Sequence, residues 1–467
     1  MVKDATYKKI CNDAIKLIKP SKEEEIKNKK FSELLLKIAN EKLKQFNARA
    51  MICGSVAKNT NLKGKYETDL FMIFHPSLQK DKLTKFGIEI GKEIVEELRG
   101  KWEIAYAEHP YLNARIFFEN TVFDVDIVPC YDVPANKIKS AVDRTPHHVK
   151  YVIRNLKNPD EARLLKAFMK SAECYGADVK TKGFSGYLCE LLIIKYGSFL
   201  NCIKNVANWK FGGIILSIEK TEKIKFEKSP LIFIDPVDKN RNVAAAVSSE
   251  KLFKFICTAR DFLFSPSVNF FLPRKKIPYS VIDLMRTLRA RGSRIFVIKF
   301  KRPEIINDIL YPQMLKCSNR IAKILEENNF KTILNEIFID KENCLLLFEL
   351  ENWRVSKIER HYGPSIYDKH AEGFLNRYKE WKIKIKNDKW CVEKLRDFKR
   401  VEELFNWLIK LDKEKLLEIG IPAGIVDSFT NSFLYYDNKF FELAKEYSEE
   451  FRIFLREIFE EDLNIIV

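Results

Sequence analysis

The sequence predicts a multidomain protein of mixed α/β and α+β class: an α/β amino-terminal domain, a helical central domain and a sheet-containing carboxy-terminal region. Three observations predict it. The chain has 467 residues, enough for about three domains. Strand and helix patterns alternate through the first 130 or so residues, then helical periodicity dominates from Pro159 to about Leu263. Beyond that, a β-α-β-β-α order returns. The boundaries drawn from these shifts are 1–150, 151–265 and 266–467.

Taken in order, residues 31–47 carry apolar side chains at helical spacing. Ala48–Cys53 is a short apolar strand closed by Gly54-Ser55, and Thr68–Phe74 is a second strand. Leu83–Leu98 is an amphipathic helix. Trp102–Ala107, Leu112–Phe118 and Thr121–Val128 read as three further strands. Glu161–Cys174 is a helix whose end is marked by Tyr175-Gly176. Ser185 is placed to cap a helix over Gly186–Phe199. Leu231–Ile234 is a short strand and Asn242–Phe262 a helix. In the last third, Arg294–Ile298 is a strand, Tyr311–Asn328 a helix, Lys331–Ile339 and Asn343–Leu350 strands, and Gly373–Trp381 a helix. That order is similar to a ferredoxin-like or RNA-recognition sheet, although no aromatic motif for base stacking accompanies it.

Composition narrows the function classes. Lys and Arg number 82 against 65 Asp and Glu, a net charge of +17. This favours a polyanionic partner, with nucleic acid foremost; the bland alternative is general lysine enrichment, as in some thermophiles. No apolar run reaches the roughly 18 residues a membrane span needs. Met1–Pro20 lacks the apolar core of a secretory signal. The ten cysteines form no Cys-x-x-Cys pair, which argues against a zinc ribbon and suits a reducing cytoplasm.

The chemistry concentrates in Cys53-Gly-Ser-Val-Ala-Lys-Asn-Thr60 and Glu67-Thr-Asp-Leu-Phe71. Glu67 and Asp69 stand two apart on a strand, so both carboxylates share one face. Oxygen ligands in that arrangement suit hard divalent cations. Gly54 permits close backbone approach, and free amides with the Ser55 hydroxyl can hold a phosphate. Lys58 can reach the same phosphate. A third acid comes from Phe123-Asp-Val-Asp-Ile-Val-Pro129, where Asp124 and Asp126 share a face. An acid in an apolar strand is costly unless neutralised, and a metal shared with Glu67 and Asp69 would neutralise it. Asp126 is the expected ligand and Asp124 the alternative. Carboxylates on neighbouring strands beside a phosphate loop are the apparatus of two-metal nucleotidyl transfer.

These motifs make the chain resemble the archaeal, class I CCA-adding enzymes, tRNA nucleotidyltransferases of the polymerase-β-like superfamily. The matching runs are Gly54–Thr60 with Glu67-Thr-Asp69, Asp124–Tyr131, Asp143-Arg-Thr-Pro-His-His148, Glu161–Lys170, Lys182–Leu192 and Asp235-Pro-Val-Asp-Lys-Asn-Arg-Asn-Val-Ala244. The resemblance implies a polymerase-β-like palm over 1–150, a helical neck over 151–265 and a tRNA-binding body and tail over 266–467 with a ferredoxin-like sheet. It implies that Glu67, Asp69 and Asp126 ligate two Mg2+ ions. It further implies that Gly54, Ser55, Lys58, Thr145, His148, Lys166, Tyr175 and Arg241 form the pocket for CTP and ATP.

Bland readings stand beside these roles. His147 and His148 could be a structural pair after the turn at Pro146. Lys166 could sit on a solvated helix face. Tyr175 joins Lys166 only if it lies past the helix end. Arg241 could pair with Asp235 or Asp238. The family departs here at Thr68 and Leu70, which face away from the metals, and at Ala246-Val247 near the base-reading region. The implied activity is addition or repair of the tRNA 3′-terminal CCA. The alternatives are a restricted CC-, A- or U-adding transferase and a non-catalytic tRNA-end-binding protein. The implied partners are the tRNA acceptor stem and TΨC arm, with no membrane, and the carboxy-terminal region is a candidate for homodimerisation.

Overall fold

The computed structural model describes residues 4–106, 110–210, 212–219 and 228–460. The chain divides into two units, at Lys275/Lys276. In the first unit, β1 (Ala48–Cys53), β2 (Glu67–Phe74), β3 (Lys101–Tyr106), β4 (Pro110–Phe118) and β5 (Thr121–Tyr131) form one sheet in the order β1-β2-β5-β4-β3. Only β2 and β5 run parallel. The predicted strand Trp102–Ala107 matches β3, with Ala107 outside the described residues.

Period-two alternation gives this sheet two different faces. Leu70, Met72, Phe74, Phe123, Val125 and Ile127 point to one side, where they pack against Phe31, Leu35, Ile90 and Ile94 of the helices Lys22–Leu43 and Lys80–Glu97. Phe71, Ile73 and Cys130 point to the other, where Val149 of the helix Thr145–Asn155 covers them. That cover leaves the start of β2 and the middle of β5, with their acids, uncovered by this cluster.

Four sequence expectations are corrected at their ends. The helix expected over 31–47 begins at Lys22, because Ser21 and Glu24 form a reciprocal capping box. The helix expected over Glu161–Cys174 spans Pro159–Ser171, started by the Asn158 cap. The helix from Gly186 stops at Tyr196, because Gly197 turns left-handed and Ser198 caps a new helix, Phe199–Val206. The helix expected from Asn242 begins only at Ser249. Asn242 instead pairs with Ile234 as a bridge, and its side chain accepts from the amides of Phe233 and Ala244. Elements not anticipated in this unit include the helices Asp4–Ile18 and Thr145–Asn155 and the short strand Ile214–Leu216.

The helix Asp4–Ile18 and the helices between Pro159 and Phe264 share a second core, with Phe168, Phe184, Phe199, Phe255 and Phe262 at its centre. The short parallel strands β6 (Ile214–Leu216) and β7 (Leu231–Phe233) border it.

The second unit contains β8 (Arg294–Lys301), β9 (Thr332–Ile339), β10 (Asn343–Leu350), β11 (Ile358–Ser365), β12 (Ile383–Lys386), β13 (Lys389–Leu395) and β14 (Phe433–Tyr436). One antiparallel sheet has the order β14-β8-β10-β9, the ferredoxin-like arrangement expected. The helix expected over Gly373–Trp381 is present as Ala371–Arg377, but it lies against β11 in a separate sheet, β11-β13-β12. The main sheet is covered instead by the helices Asn307–Glu327, Val401–Ile409 and Ala423–Phe429. Its other face meets Leu284, Phe440, Phe451 and Leu455. The central strands β8 and β10 are therefore buried on both sides and offer no open platform for base stacking.

Candidate active site

Strand β1 ends at Cys53, and the chain turns at Gly54, with φ +68°, into the single helical turn Gly54–Ala57. A Cβ on Gly54 would lie 1.6 Å from Asp69 Oδ2. Only glycine fits between this turn and the carboxylate. Across the parallel pair, Asp69 stands opposite Asp126 and Glu67 opposite Asp124. Asn113 on β4 donates to Asp126 Oδ1 at 2.8 Å. Asp124, the alternative third acid, is turned to Arg115 at 3.3 Å, and Glu67 faces Lys65 at 3.3 Å.

Asp69 and Asp126 are the two acids whose burial is least compensated. Burial, then the charge of Asp126, pushes the Asp69 carboxyl up to about 6. Burial also raises Asp126; the Asn113 hydrogen bond works against the rise, and Glu67 and Asp124 add to it. Among the described residues, no three His, Cys, Asp or Glu side chains are gathered into a ready-made ion cage. The donor set nevertheless fits a hard divalent cation. It is all oxygen, and a cation would relieve the strain that raises Asp69 and Asp126.

The opposite wall is basic and internally satisfied. Glu190, fully buried in the helix Gly186–Tyr196, accepts from Lys58 Nζ at 2.6 Å through Oε2. Its Oε1 accepts from Lys166 Nζ at 2.7 Å and from the Thr60 hydroxyl at 2.6 Å. Lys166 also donates to Thr60 Oγ1 at 2.8 Å. Burial opposes the Glu190 charge, but Lys166 and Lys58 outweigh it and hold the carboxyl at about 2. Burial draws the Lys166 ammonium below the usual lysine range, with Glu190 resisting. The expectation of a solvated Lys166 is thus overturned, since it is only 2% exposed.

Tyr175 lies beyond the helix end at Ser171, as its pairing with Lys166 requires. A Cβ on Gly186 would meet the Tyr175 hydroxyl at 2.8 Å and Lys166 Nζ at 3.7 Å, so both groups border the same small residue. Burial raises the Tyr175 phenol, helped by Cys189, Glu190, Glu67 and Asp69.

A third cluster gathers on the buried Asp235. His148 Nε2 donates to its Oδ2 at 2.9 Å, and Arg241 Nη1 donates to the same oxygen at 2.9 Å. The Tyr187 hydroxyl and the Val237 amide donate to Oδ1 at 3.1 and 3.0 Å. The His148 and Tyr187 rings stack at 3.9 Å. Burial lowers His148 against the pull of Asp235, with Arg241 and Lys58 reinforcing the fall. Arg241 thus has the Asp235 partner that the bland reading allowed, while Asp238 takes Arg144. His147 bonds the Val133 carbonyl, a structural contact. Thr145 opens the helix that carries His148, and buried Asp143 ties down the approach by accepting from the amides of Tyr131, Lys139 and Ser140. Ser55 holds the loop through its carbonyl, which accepts from the Thr60 amide at 2.9 Å.

Comparison with known proteins supplies the family. The CCA-adding enzyme of Methanocaldococcus jannaschii is 38% identical over 436 residues, covering 90% of this chain and 94% of that protein. The chain belongs to the family of CCA-adding enzymes. The CCA-adding enzyme of Archaeoglobus fulgidus is 38% identical, covering 84% of this chain and 87% of that one. That of Methanopyrus kandleri is 33% identical and covers 91% of each. Family models for the second domain of tRNA nucleotidyltransferase and for the C-terminal domain of the CCA-adding enzyme match residues 160–272 and 291–416. Among solved structures, the Cid1 poly(U) polymerase has a TM-score of 0.46 and 15% identity, covering 58% of this chain and 99% of that one.

For a CCA-adding enzyme, motif reading passed over Glu190, Tyr187 and Thr60, and left Asp235 only as a partner for Arg241. A signal for Glu190 was present. It is a lone acid among Leu188, Cys189, Leu191, Leu192 and Ile193, a position tolerable only with buried cationic partners.

Proposed function

We propose that the chain adds or repairs the 3′-terminal CCA of tRNA, without a nucleic-acid template, from CTP and ATP with release of pyrophosphate. The observation that carries this reading is the facing pair Asp69 and Asp126, set against Gly54 and across from a lysine-lined wall, in a chain of this family. Glu67, Asp69 and Asp126 would hold Mg2+, for which two ions are expected. Such ions supply activation of the RNA 3′-hydroxyl and charge compensation for the leaving pyrophosphate.

The chain's own residues position the reactants. Gly54 lets the nucleotide approach the backbone, and the Ser55 hydroxyl with nearby amides orients a phosphate. Lys58 and Lys166 contact the triphosphate and offset its charge. Tyr175 presents a hydroxyl donor beside Lys166. His148 donates to the nucleotide, and Thr145 lines its pocket. Arg241, about one-third exposed and aimed by Asp235, meets the base beside the RNA backbone. Residues 1–150 act as the catalytic domain and 151–265 complete the nucleotide pocket. Residues 266–467 hold the acceptor stem and TΨC arm through phosphates, and self-association of that region is tested by sedimentation. Among the described residues no helix is long and apolar enough to cross a membrane; we place the enzyme in the cytoplasm.

The test uses purified protein, Mg2+ and a tRNA transcript ending at the discriminator base, with products resolved at single-nucleotide length. Two additions with CTP, and a third only when ATP is also present, are expected. Arrest after two additions with both nucleotides, or a homopolymer, would indicate a restricted transferase. Tight tRNA binding without extension would indicate the non-catalytic alternative.

A further inference from the structure

We infer that Glu190 is a positioning residue for the triphosphate: its buried carboxylate holds the Lys58 and Lys166 ammonium groups side by side. This rests on the reading that those two lysines contact the triphosphate. Three donors from two separate segments converge on this one side chain. Lys58 follows the Gly54 turn, Thr60 lies in the loop to β2, and Lys166 comes from the helix Pro159–Ser171. The two ammonium groups take different oxygens, at 2.6 and 2.7 Å, so the width of one carboxylate fixes the distance between them.

The carboxylate also compensates the charge of Lys166. Lys166 is buried, and both desolvation and the neighbouring Lys58 favour its neutral form. Glu190 is the counter-charge that keeps it an ammonium. Two cations held on one anion leave a net positive charge, which is what a triphosphate arriving from the cleft requires. The loop is braced independently, because Arg163 bonds the Asn61 carbonyl at 2.9 Å and Asn59 Oδ1 at 2.6 Å. The Glu190 bond to Thr60 is thus not the loop's sole anchor, and its two bonds to lysines are the ones that aim charge at a ligand.

The test compares inhibition of CTP addition by inorganic pyrophosphate with inhibition by cytidine. Glu190→Gln is expected to raise KM for CTP and ATP and Ki for pyrophosphate together by about tenfold. Ki for cytidine and KM for tRNA should stay within twofold. Glu190→Asp keeps the charge but withdraws it, and is expected to lie between wild type and Glu190→Gln; it decides the matter if Glu190→Gln does not fold. Lys166→Ala controls the underlying reading. If Lys166→Ala leaves Ki for pyrophosphate unchanged, the lysines do not contact the triphosphate and that reading fails. If Lys166→Ala raises it while the Glu190 variants do not, the inference about Glu190 fails. Equal weakening of pyrophosphate and cytidine by the Glu190 variants would mark a general structural role and overturn it as well.

Discussion

The two walls of the active site are built on opposite electrostatic plans. On the basic wall, every charged group has its partner inside the protein: Glu190 binds Lys58, Lys166 and Thr60, and Asp235 binds His148, Arg241 and Tyr187. On the acidic wall, Asp69 and Asp126 face each other across β2 and β5 with only the neutral Asn113 amide between charge and solvent, and both carboxyls are raised. A cluster whose ion pairs are already made is in place before any ligand arrives. An unneutralised one stores repulsion that a cation releases. The difference teaches that this chain satisfies its lysine wall from within, while on the proposed reading a metal would complete its acidic wall.

The largest effect should come from breaking the acidic wall. Asp69→Ala is expected to lower addition by about 1,000-fold or more, on the order of 4 kcal/mol, while tRNA affinity measured by filter binding stays within a few-fold. Intact addition or lost tRNA binding would contradict the role given to Asp69. Next is Gly54→Ala. Its Cβ would strike the Asp69 carboxylate in a left-handed backbone conformation, so single-turnover addition should fall about 100-fold through misplacement of the acid. Circular dichroism should show the fold retained.

A smaller effect is expected from Arg241→Ala on the other side. Discrimination of CTP and ATP against UTP should fall about tenfold, read as ratios of kcat/KM, with metal affinity unchanged. Unchanged discrimination would remove Arg241 from the base pocket.

A further effect, on stability rather than on rate, sharpens the comparison through pH. In the metal-free fold the Asp69 carboxyl stands at about 6, against an ordinary value of 3.8. A raised carboxyl stabilises the fold when protonated, and that contribution is lost as pH rises from about 4 through about 6. Asp69→Asn should therefore stabilise the metal-free protein at pH 7.5 by on the order of 2 kcal/mol. The gain should fade below pH 4. Thermal unfolding in EDTA across this range checks it.

The acidic wall was legible in the sequence because its geometry is local. Two acids at i and i+2 on a strand share a face whatever the rest of the chain does, and an acid inside the apolar β5 run stands out. Gly54 was legible for the same reason. Much of the basic wall was not, since its partners are distant: Glu190 lies 132 residues from Lys58 and 24 from Lys166. No spacing rule joins them, and Lys166 on an amphipathic helix reads as solvated until the fold buries it. Helix starts were missed where a cap competed with periodicity, as at Ser21 and at Ser248, whose side chain accepts from the Lys251 amide. In the second unit the strands β8, β9 and β10 were read, but not the edge strand β14, the sheet β11-β13-β12 or the covering helices. The helix at Ala371–Arg377 continues the sequence pattern yet belongs to another sheet, which only long-range packing decides.

The contrast between the walls is tested most directly by titrating the nucleotide-free protein with Mn2+ and following bound metal by electron paramagnetic resonance. Saturable binding is predicted for the wild type, lost in Asp69→Ala and retained in Glu190→Gln. Equal binding by Asp69→Ala, or its loss in Glu190→Gln, would contradict the assignment of metal binding to the acidic wall alone.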